Sequence, residues 1–357
     1  MINIERDRLL APLTTFDLGG SAAFYCEVFD EKNLVQAAEH ARKQGLPVFI
    51  LGGGSNLLVS DQGFSGMVIA NKIKGFDINA ETGAVEVSTG EIWDKVVEAC
   101  VENDLAGLEC LSGVPGSVGG AVVQNISAYG QMVSKAITKV RLIDLDTLKA
   151  EEWKAADCGF EYAGGSVFKR QSGKFALTKV WFKLAPRGKP AMTYADVINY
   201  FEKFHIKPSL FEVRQVVRRI RANKGHLIDQ DFESYRSSGS FFKNPVIEQM
   251  HFDQIKSDLS QGSENDNWHW ALPDGRVKVA AARLIEAAGF SKGYSSGNVG
   301  LSPKHVLVLI NKGGGTADEI SNLALRIKSE VDKRFGVFLK EEVQRLGAFN
   351  DQLTGSF

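Results

Sequence analysis

Pro47-Val48-Phe49-Ile50-Leu51-Gly52-Gly53-Gly54-Ser55-Asn56 runs a short apolar strand straight into three glycines and two polar side chains. Ahead of it, residues 30–45 place Leu34, Ala37, Ala38 and Ala41 on one helical face, with Gly45 where a C-cap belongs. Helix, strand and glycine turn in that order make an α/β unit. The turn lacks the Gly-Lys-Ser/Thr ending of a P-loop, and its glycines are not spaced G-x-G-x-x-G. Three successive glycines still expose consecutive N–H groups, to which Ser55 and Asn56 add side-chain donors. Such a concavity suits a pyrophosphate, because it offers hydrogen bonds without requiring a cation. Standing alone, the run would be read as a tight turn between packed strands.

Working outward, the same chemistry recurs. A second helix over 92–103, with Val96, Val97, Cys100 and Val101 as its apolar stripe, leads to Gly113-Val114-Pro115-Gly116-Ser117-Val118-Gly119-Gly120. Val123 to Gly130 follows, with Asn125 and Tyr129 as polar members. Two donor-rich loops in one α/β region can grip one dinucleotide from both sides. Between about 135 and 185 the pattern turns to short alternating strands, such as Val140 to Leu145. Pro186, Pro190 and Pro208 mark 186–208 as a linker. Beyond it come an arginine-rich helix (Val213 to Lys224), a helix from Val279 to Ala288 closed by Gly289, and a last helix opened by the capping box Thr316-Ala317-Asp318-Glu319.

The run Gly239-Ser240-Phe241-Phe242-Lys243-Asn244-Pro245 sets a hydroxyl, an ammonium and a carboxamide within a few residues. In an extended segment Ser240 and Asn244 share a face with Phe242 between them. Gly239 permits close approach of a ligand, and Pro245 bars a central ladder. A buried edge strand whose phenylalanines fill core is the plainer reading of the run by itself.

At 357 residues, 44% hydrophobic and 24% charged, the chain has room for two or three soluble domains. A formal net charge of −1 gives no field for nucleic acid or an anionic membrane. The charged start Met1 to Arg8 is unlike a signal peptide, and the aliphatic run Val306 to Ile310 is strand-sized. Four scattered cysteines and six histidines without ligand spacing point to a reducing cytoplasm and no essential metal.

Taken together, LGGGSNLLV (51–59), GLECLSGVPGSVGGAVVQNISAYG (107–130), RANKG (221–225), GSFFKNP (239–245), KVAAARLIEAAG (278–289), KHVLVLIN (304–311) and FGVFLKEEVQRLG (335–347) resemble the UDP-N-acetylenolpyruvoylglucosamine reductases. The resemblance implies an α+β fold: a two-lobed FAD-binding region of the vanillyl-alcohol-oxidase (PCMH) type plus a separate α/β substrate-binding domain. The expected division is 1–66 and 67–206 for the two FAD lobes, 207–335 for the substrate domain, and 336–357 for a segment returning to the FAD region. It implies FAD and NADPH as cofactors, UDP-N-acetylglucosamine enolpyruvate as substrate, UDP-N-acetylmuramate as product, and a cytoplasmic, monomeric enzyme of peptidoglycan precursor synthesis.

By the same resemblance Ser240 is the proton donor and Glu342 the catalytic glutamate, with Glu341 a solvated neighbour. Gly52, Gly53, Gly54, Ser55, Asn56, Ser117, Gly119, Gly120, Asn125 and Tyr129 would hold FAD. Tyr194, Arg221, Lys224, Asn244 and His305 would meet the substrate. One departure stands out. The family pattern Tyr-Arg-x-Ser-x-Phe-Lys reads here Tyr162-Ala163-Gly164-Gly165-Ser166-Val167-Phe168-Lys169, with no arginine near Ala163. Loss of one such electrostatic donor costs on the order of a hundredfold to a thousandfold in rate. Arg170 is the nearest substitute in sequence. The alternatives are a flavin- and UDP-sugar-binding protein with little turnover, or an FAD-dependent alcohol oxidase of the same fold.

Overall fold

The structure, a computed structural model, describes residues 2–161, 164–203, 205, 207–228, 235–260 and 268–350. Tyr162 and Ala163, where the arginine pattern breaks, lie outside the described residues. The chain opens with a four-stranded sheet in the order Glu5–Leu9, Ser21–Val28, Phe64–Asn71, Val48–Leu51. Its first pair is antiparallel and the other two are parallel. Helix α1 (Glu31–Lys43) is capped by the Asp30 carboxylate, which accepts from the Asn33 amide, and Gly45 follows its end at φ +64°. Leu34, Ala37, Ala38 and Ala41 pack on Met67 and Ile69, and also on Ile143, Leu145 and Ala176 of the next sheet. The small alanines let one helix lie close to both lobes. Val68 and Ala70, alternate with Met67 and Ile69, face the other way onto Tyr25, Phe49 and Leu51.

The second sheet is antiparallel throughout, in the order Ala150–Lys154, Ile137–Asp144, Phe175–Lys183, Ala84–Ser88, Phe76–Asn79. Helices α2 (Trp93–Glu102) and α3 (Val118–Gln124) bury Val96, Val97, Cys100, Val118 and Val122 in the core that holds Val87, Val140, Val180 and Phe182. A single-turn helix, α4 (Val167–Arg170), precedes the strand Phe175–Lys183.

Residues 186–208, expected as a linker, contain helix α5 (Ala195–Glu202) with Val197 and Phe201 buried. The prolines bracket this helix rather than interrupt it, which their composition alone does not reveal. Helix α6 (Leu210–Asn223) starts at the Ser209–Glu212 capping box, earlier than the expected Val213. Its Val213, Val216 and Val217 join Val197, Phe201, Cys110 and Tyr129 in one small core. Arg214 donates to both Asp94 oxygens of α2 at 2.6 and 2.9 Å, and Arg218 adds a third bond at 2.8 Å. Packing therefore ties the arginine helix to residues ahead of the expected boundary at 207.

Beyond it, α7 (Gln249–Ser260), α8 (Ala281–Ala287), α9 (Ala317–Phe335) and two three-stranded sheets enclose the third large core. Phe16, Leu18 and Leu58 of the first lobe belong to that core as well. Asp61 accepts from the Ala317 and Asp318 amides, both at 2.9 Å, setting a first-lobe carboxylate on the N-terminus of α9. Gly336, at φ +63°, ends α9, and the chain turns back so that Gln344–Leu346 pairs in parallel with Leu57–Val59. No helix among the described residues is long and apolar enough to cross a membrane.

Candidate active site

The strand Leu57–Val59 directly follows the triple-glycine loop, so its pairing with Gln344–Leu346 draws the chain end to that loop. The two glycine loops are packed backbone to backbone. A Cβ on Gly53 would lie 2.5 Å from the Gly116 Cα, and one on Gly52 would lie 2.5 Å from the Ser117 Oγ. Ser55 Oγ donates to the Pro115 carbonyl at 3.1 Å and fastens the pair. The amides of Gly53, Gly54, Ser55 and Asn56 have no acceptor among the described residues. Four successive N–H groups left this way fit a pyrophosphate.

The second loop behaves differently. The Val118, Gly119 and Gly120 amides donate to Glu91 O, Thr89 O and Ser117 Oγ. Asn125 is buried in the left-handed region, donates to Glu161 O at 3.1 Å and accepts from the Ser134 amide at 3.3 Å. Expected as cofactor donors, Gly119, Gly120 and Asn125 spend these groups inside the protein. They build the wall against which the first loop rests.

Phe241 and Phe242 are both fully buried, their rings edge to face at 5.1 Å. Alternation would expose one of them. Instead the segment is bonded along both edges: Phe241 N to Leu307 O at 2.8 Å, Lys243 N to Lys340 O at 2.9 Å, and Glu342 N to Phe241 O at 2.8 Å. Ser240 Oγ has no hydrogen-bond partner among the described residues. Glu342 is held by its carbonyl, which accepts from Asn56 Nδ2 and from Lys169 Nζ, each at 3.2 Å. Its carboxylate has no hydrogen bond or ion pair among the described residues, and burial raises its pKa against the opposing pull of Lys169 and Lys243. Glu342 is nevertheless exposed to solvent. The upward shift is therefore fullest when a bound ligand covers the carboxylate.

Lys169 also donates to Gln124 Oε1 at 2.5 Å, and burial lowers its pKa to about 8, with Lys243 reinforcing and Glu342 opposing. Neither Lys169 nor Gln124 is a site residue by sequence reasoning. Lys169 closes the matched Ser-Val-Phe-Lys stretch but bears no role there, and Gln124 reaches the site only through the placement of α3. Two expectations for neighbours are corrected. Glu341 is not solvated: it pairs bidentately with Arg345 at 2.8 and 3.0 Å and with Lys328 at 3.4 Å, because the chain return turns it inward. Arg170 does not enter the site: it pairs with Glu161 at 3.2 Å and donates to Gly159 O at 3.0 Å on the outer side of α4.

A second cluster gathers the substrate-side residues. Lys224 Nζ is 2.7 Å from Asp196 Oδ2 and lies 5.7 and 5.9 Å from the Tyr194 and Tyr129 ring centroids. Burial pulls the Lys224 pKa down, but Asp196 and the two tyrosines outweigh it and raise the value. Tyr129 is buried edge to face with Tyr194 at 5.1 Å, so the fold sets it with these cations. Arg221, buried, donates to Gly113 O at 3.0 Å and to His226 O at 2.8 Å, anchoring the second glycine loop. His305 stands 5.3 Å from His226, and its Nδ1 accepts from the Leu307 amide at 3.1 Å. Burial pushes His305 down to about 4. Asn244 is not in this cluster: its Oδ1 accepts from the Ala281 amide at 2.9 Å and caps α8, whose own N-cap is Ala280. Among the described residues no group of three or more His, Cys, Asp or Glu could hold a metal ion.

Two family models match the chain, one described as FAD binding domain over residues 22–147 and one as UDP-N-acetylenolpyruvoylglucosamine reductase, C-terminal domain, over 230–346. The UDP-N-acetylenolpyruvoylglucosamine reductase of Thermobifida fusca is 36% identical over 353 residues, 97% of this chain and 98% of that protein. The chain belongs to the UDP-N-acetylenolpyruvoylglucosamine reductase family. The reductase of Mycobacterium tuberculosis is likewise 36% identical, over 95% of this chain and 94% of its own. A solved reductase structure from Thermus caldophilus matches with a TM-score of 0.67 at 24% identity, covering 97% of this chain and all of that one, a likeness of fold. As a family member the chain is an oxidoreductase with an FAD binding domain, and the loop amides of Gly53 to Asn56 suit the pyrophosphate of that cofactor.

Proposed function

We propose that the protein reduces UDP-N-acetylglucosamine enolpyruvate to UDP-N-acetylmuramate with FAD and NADPH, as a cytoplasmic, monomeric enzyme of peptidoglycan precursor synthesis. The observation that carries this reading is the backbone bond from Glu342 to Phe241, which sets the glutamate beside Ser240 while Asn56 ties the same glutamate to the triple-glycine loop. When bound, FAD reduced by NADPH would supply a hydride to the terminal carbon of the enolpyruvyl double bond, leaving the electron pair of that bond on the carbon bearing the carboxylate. Ser240 gives its hydroxyl proton to that carbon, and water restores it. Serine is a poor acid, so the charge must be stabilised before it transfers. A raised pKa suits Glu342 to hydrogen-bond the enolic carboxylate in its protonated form.

The Gly53 to Asn56 amides would hold the pyrophosphate of FAD, with Gly52 and Ser117 keeping the loops in contact. Lys224, Tyr194 and His305, with Arg221 behind them, offer charge and donors for the diphosphate and uracil of the substrate. The test is anaerobic. The yellow protein is reduced with NADPH, UDP-N-acetylglucosamine enolpyruvate is added, and flavin absorbance is followed. Return of the oxidised spectrum with UDP-N-acetylmuramate formed is the expected result. A flavin that stays reduced despite measurable substrate binding would overturn the reading in favour of a binding protein. Oxygen uptake with loss of a small alcohol would overturn it in favour of an oxidase.

A further inference from the structure

Lys169 is a half-buried ammonium whose hydrogen bonds go to two neutral oxygens, Gln124 Oε1 and the Glu342 carbonyl. An ammonium has three N–H donors, so one has no acceptor among the described residues. No carboxylate lies within ion-pair distance of it among the described residues. A cation taken from water is costly unless it meets an anion, and three other cations of the neighbouring segments meet one. Arg170 holds Glu161, and Arg345 and Lys328 hold Glu341. What Lys169 lacks among the described residues is a negative charge, and it stands next to the glutamate that is laddered to the Ser240 segment.

We propose that Lys169 receives the carboxylate of the substrate's enolpyruvyl group and stabilises the negative charge that gathers there when hydride adds. The inference rests on the reductase reading above. It supplies the cation that the Ala163 region does not contribute, from the far end of the same motif. Gly165, at φ +81°, leaves room for the stem: a Cβ there would sit 2.8 Å from Lys169 Cδ.

The charge has a pH limit. Facing Lys169 are Glu342 from the chain return, Lys243 from the Ser240 segment and neutral Gln124 from α3, while its own helix adds Arg170, already paired with Glu161. Burial and Lys243 lower the pKa to about 8 and Glu342 opposes them. The free enzyme therefore loses this cation as pH rises through that value, and kcat/KM for the enolpyruvate falls with it.

The test compares holoenzyme carrying Lys169→Met or Lys169→Arg with the wild type, each checked for flavin content. Two ligands are titrated against the flavin spectrum: UDP-N-acetylglucosamine enolpyruvate, and UDP-N-acetylglucosamine, which lacks the carboxylate. Lys169→Met is expected to weaken the first at least tenfold and the second less than twofold. Flavin reoxidation by the enolpyruvate is expected to slow on the order of a hundredfold. Lys169→Arg is expected to restore most of both and to remove the fall of kcat/KM above about pH 8. Equal weakening of both ligands would overturn the proposal and leave Lys169 a support for the Glu342 carbonyl. So would unchanged binding of both, or a wild-type profile that is flat between pH 7 and 9.5. If wild-type flavin fails to reoxidise, the reductase reading falls, while the paired titrations still decide whether Lys169 recognises the carboxylate.

Discussion

Gly53 and Gly120 belong to the same glycine-loop chemistry in the sequence, yet alanine at each should have opposite effects. At Gly53 a Cβ would stand 2.5 Å from Gly116 Cα, 3.0 Å from its carbonyl carbon and 3.1 Å from Ser117 N. All three are backbone atoms and cannot rotate aside. Forced overpacking of this kind costs about 1–3 kcal/mol. At Gly120 the nearest atom is the Ser117 Oγ at 3.5 Å, an ordinary contact, and the residue lies inside α3. Replacing a helical glycine by alanine there gains roughly 0.5–1 kcal/mol. With a few degrees of Tm per kcal/mol, Gly53→Ala should lower the holoenzyme Tm by about 2–10 °C, and Gly120→Ala should leave it unchanged or raise it slightly. If the loops part to relieve the strain, the Gly53 to Asn56 amides move off the pyrophosphate. FAD affinity should then fall about tenfold for each 1.4 kcal/mol of strain. Differential scanning fluorimetry and the flavin-to-protein absorbance ratio read both effects. A Gly53→Ala protein with wild-type Tm and flavin content would refute the reasoning, as would a Gly120→Ala protein that falls as far.

Asp94→Asn should leave the Arg214 guanidinium, whose side chain is 3% exposed, with Glu98 at 3.0 Å as its remaining carboxylate, and cost about 1.5–3 kcal/mol by urea unfolding. Asp94→Asn combined with Arg214→Met should recover part of that loss; a larger loss in the double variant would argue against the pair. Burial, the largest influence, raises the Asp94 pKa, but the bonds from Arg214 and the Gly113 amide with the Arg214 and Arg218 charges together outweigh it and lower the value, so this stabilisation is present at neutral pH and lost as pH falls through the folded value. His305, pushed from 6.5 to about 4, is neutral in the fold, so its protonation favours the unfolded chain. His305 alone should take about 2 kcal/mol from stability between pH 7.5 and 5, His226, pushed well below 6.5 by burial, should add to the fall, and His305→Asn should remove its own share of the slope in urea midpoints. Arg170→Ala should keep flavin reoxidation within twofold of wild type, because its exposed pair with Glu161 is worth under about 1 kcal/mol. A hundredfold loss would instead make Arg170 the missing cation.

The sequence by itself determined what depends on local rules. Helix α1 with its Gly45 end, α9 with its Thr316 capping box and the strand leading into the triple glycine are set by periodicity and by the conformations only certain residues adopt. The family was legible too, because its motifs lie in order along nearly the whole chain. Proline composition misled at 186–208, since a proline marks a break in hydrogen bonding but not the helix that lies between two such breaks. Tertiary structure decided which polar groups remain available. Gly119, Gly120, Asn125 and Asn244 look as competent in sequence as Gly53 to Asn56, but neighbouring carbonyls and amides take up their donors or acceptors. It also decided the neighbours of Glu342. Asn56, Lys169 and Phe241 lie a hundred residues or more from it in sequence, and meet it through the pairing of Gln344–Leu346 with Leu57–Val59 and the backbone bond from Glu342 to Phe241. Hydrogen-bond competition and strand pairing between distant segments are properties of the packed chain, and no local pattern encodes which partner wins.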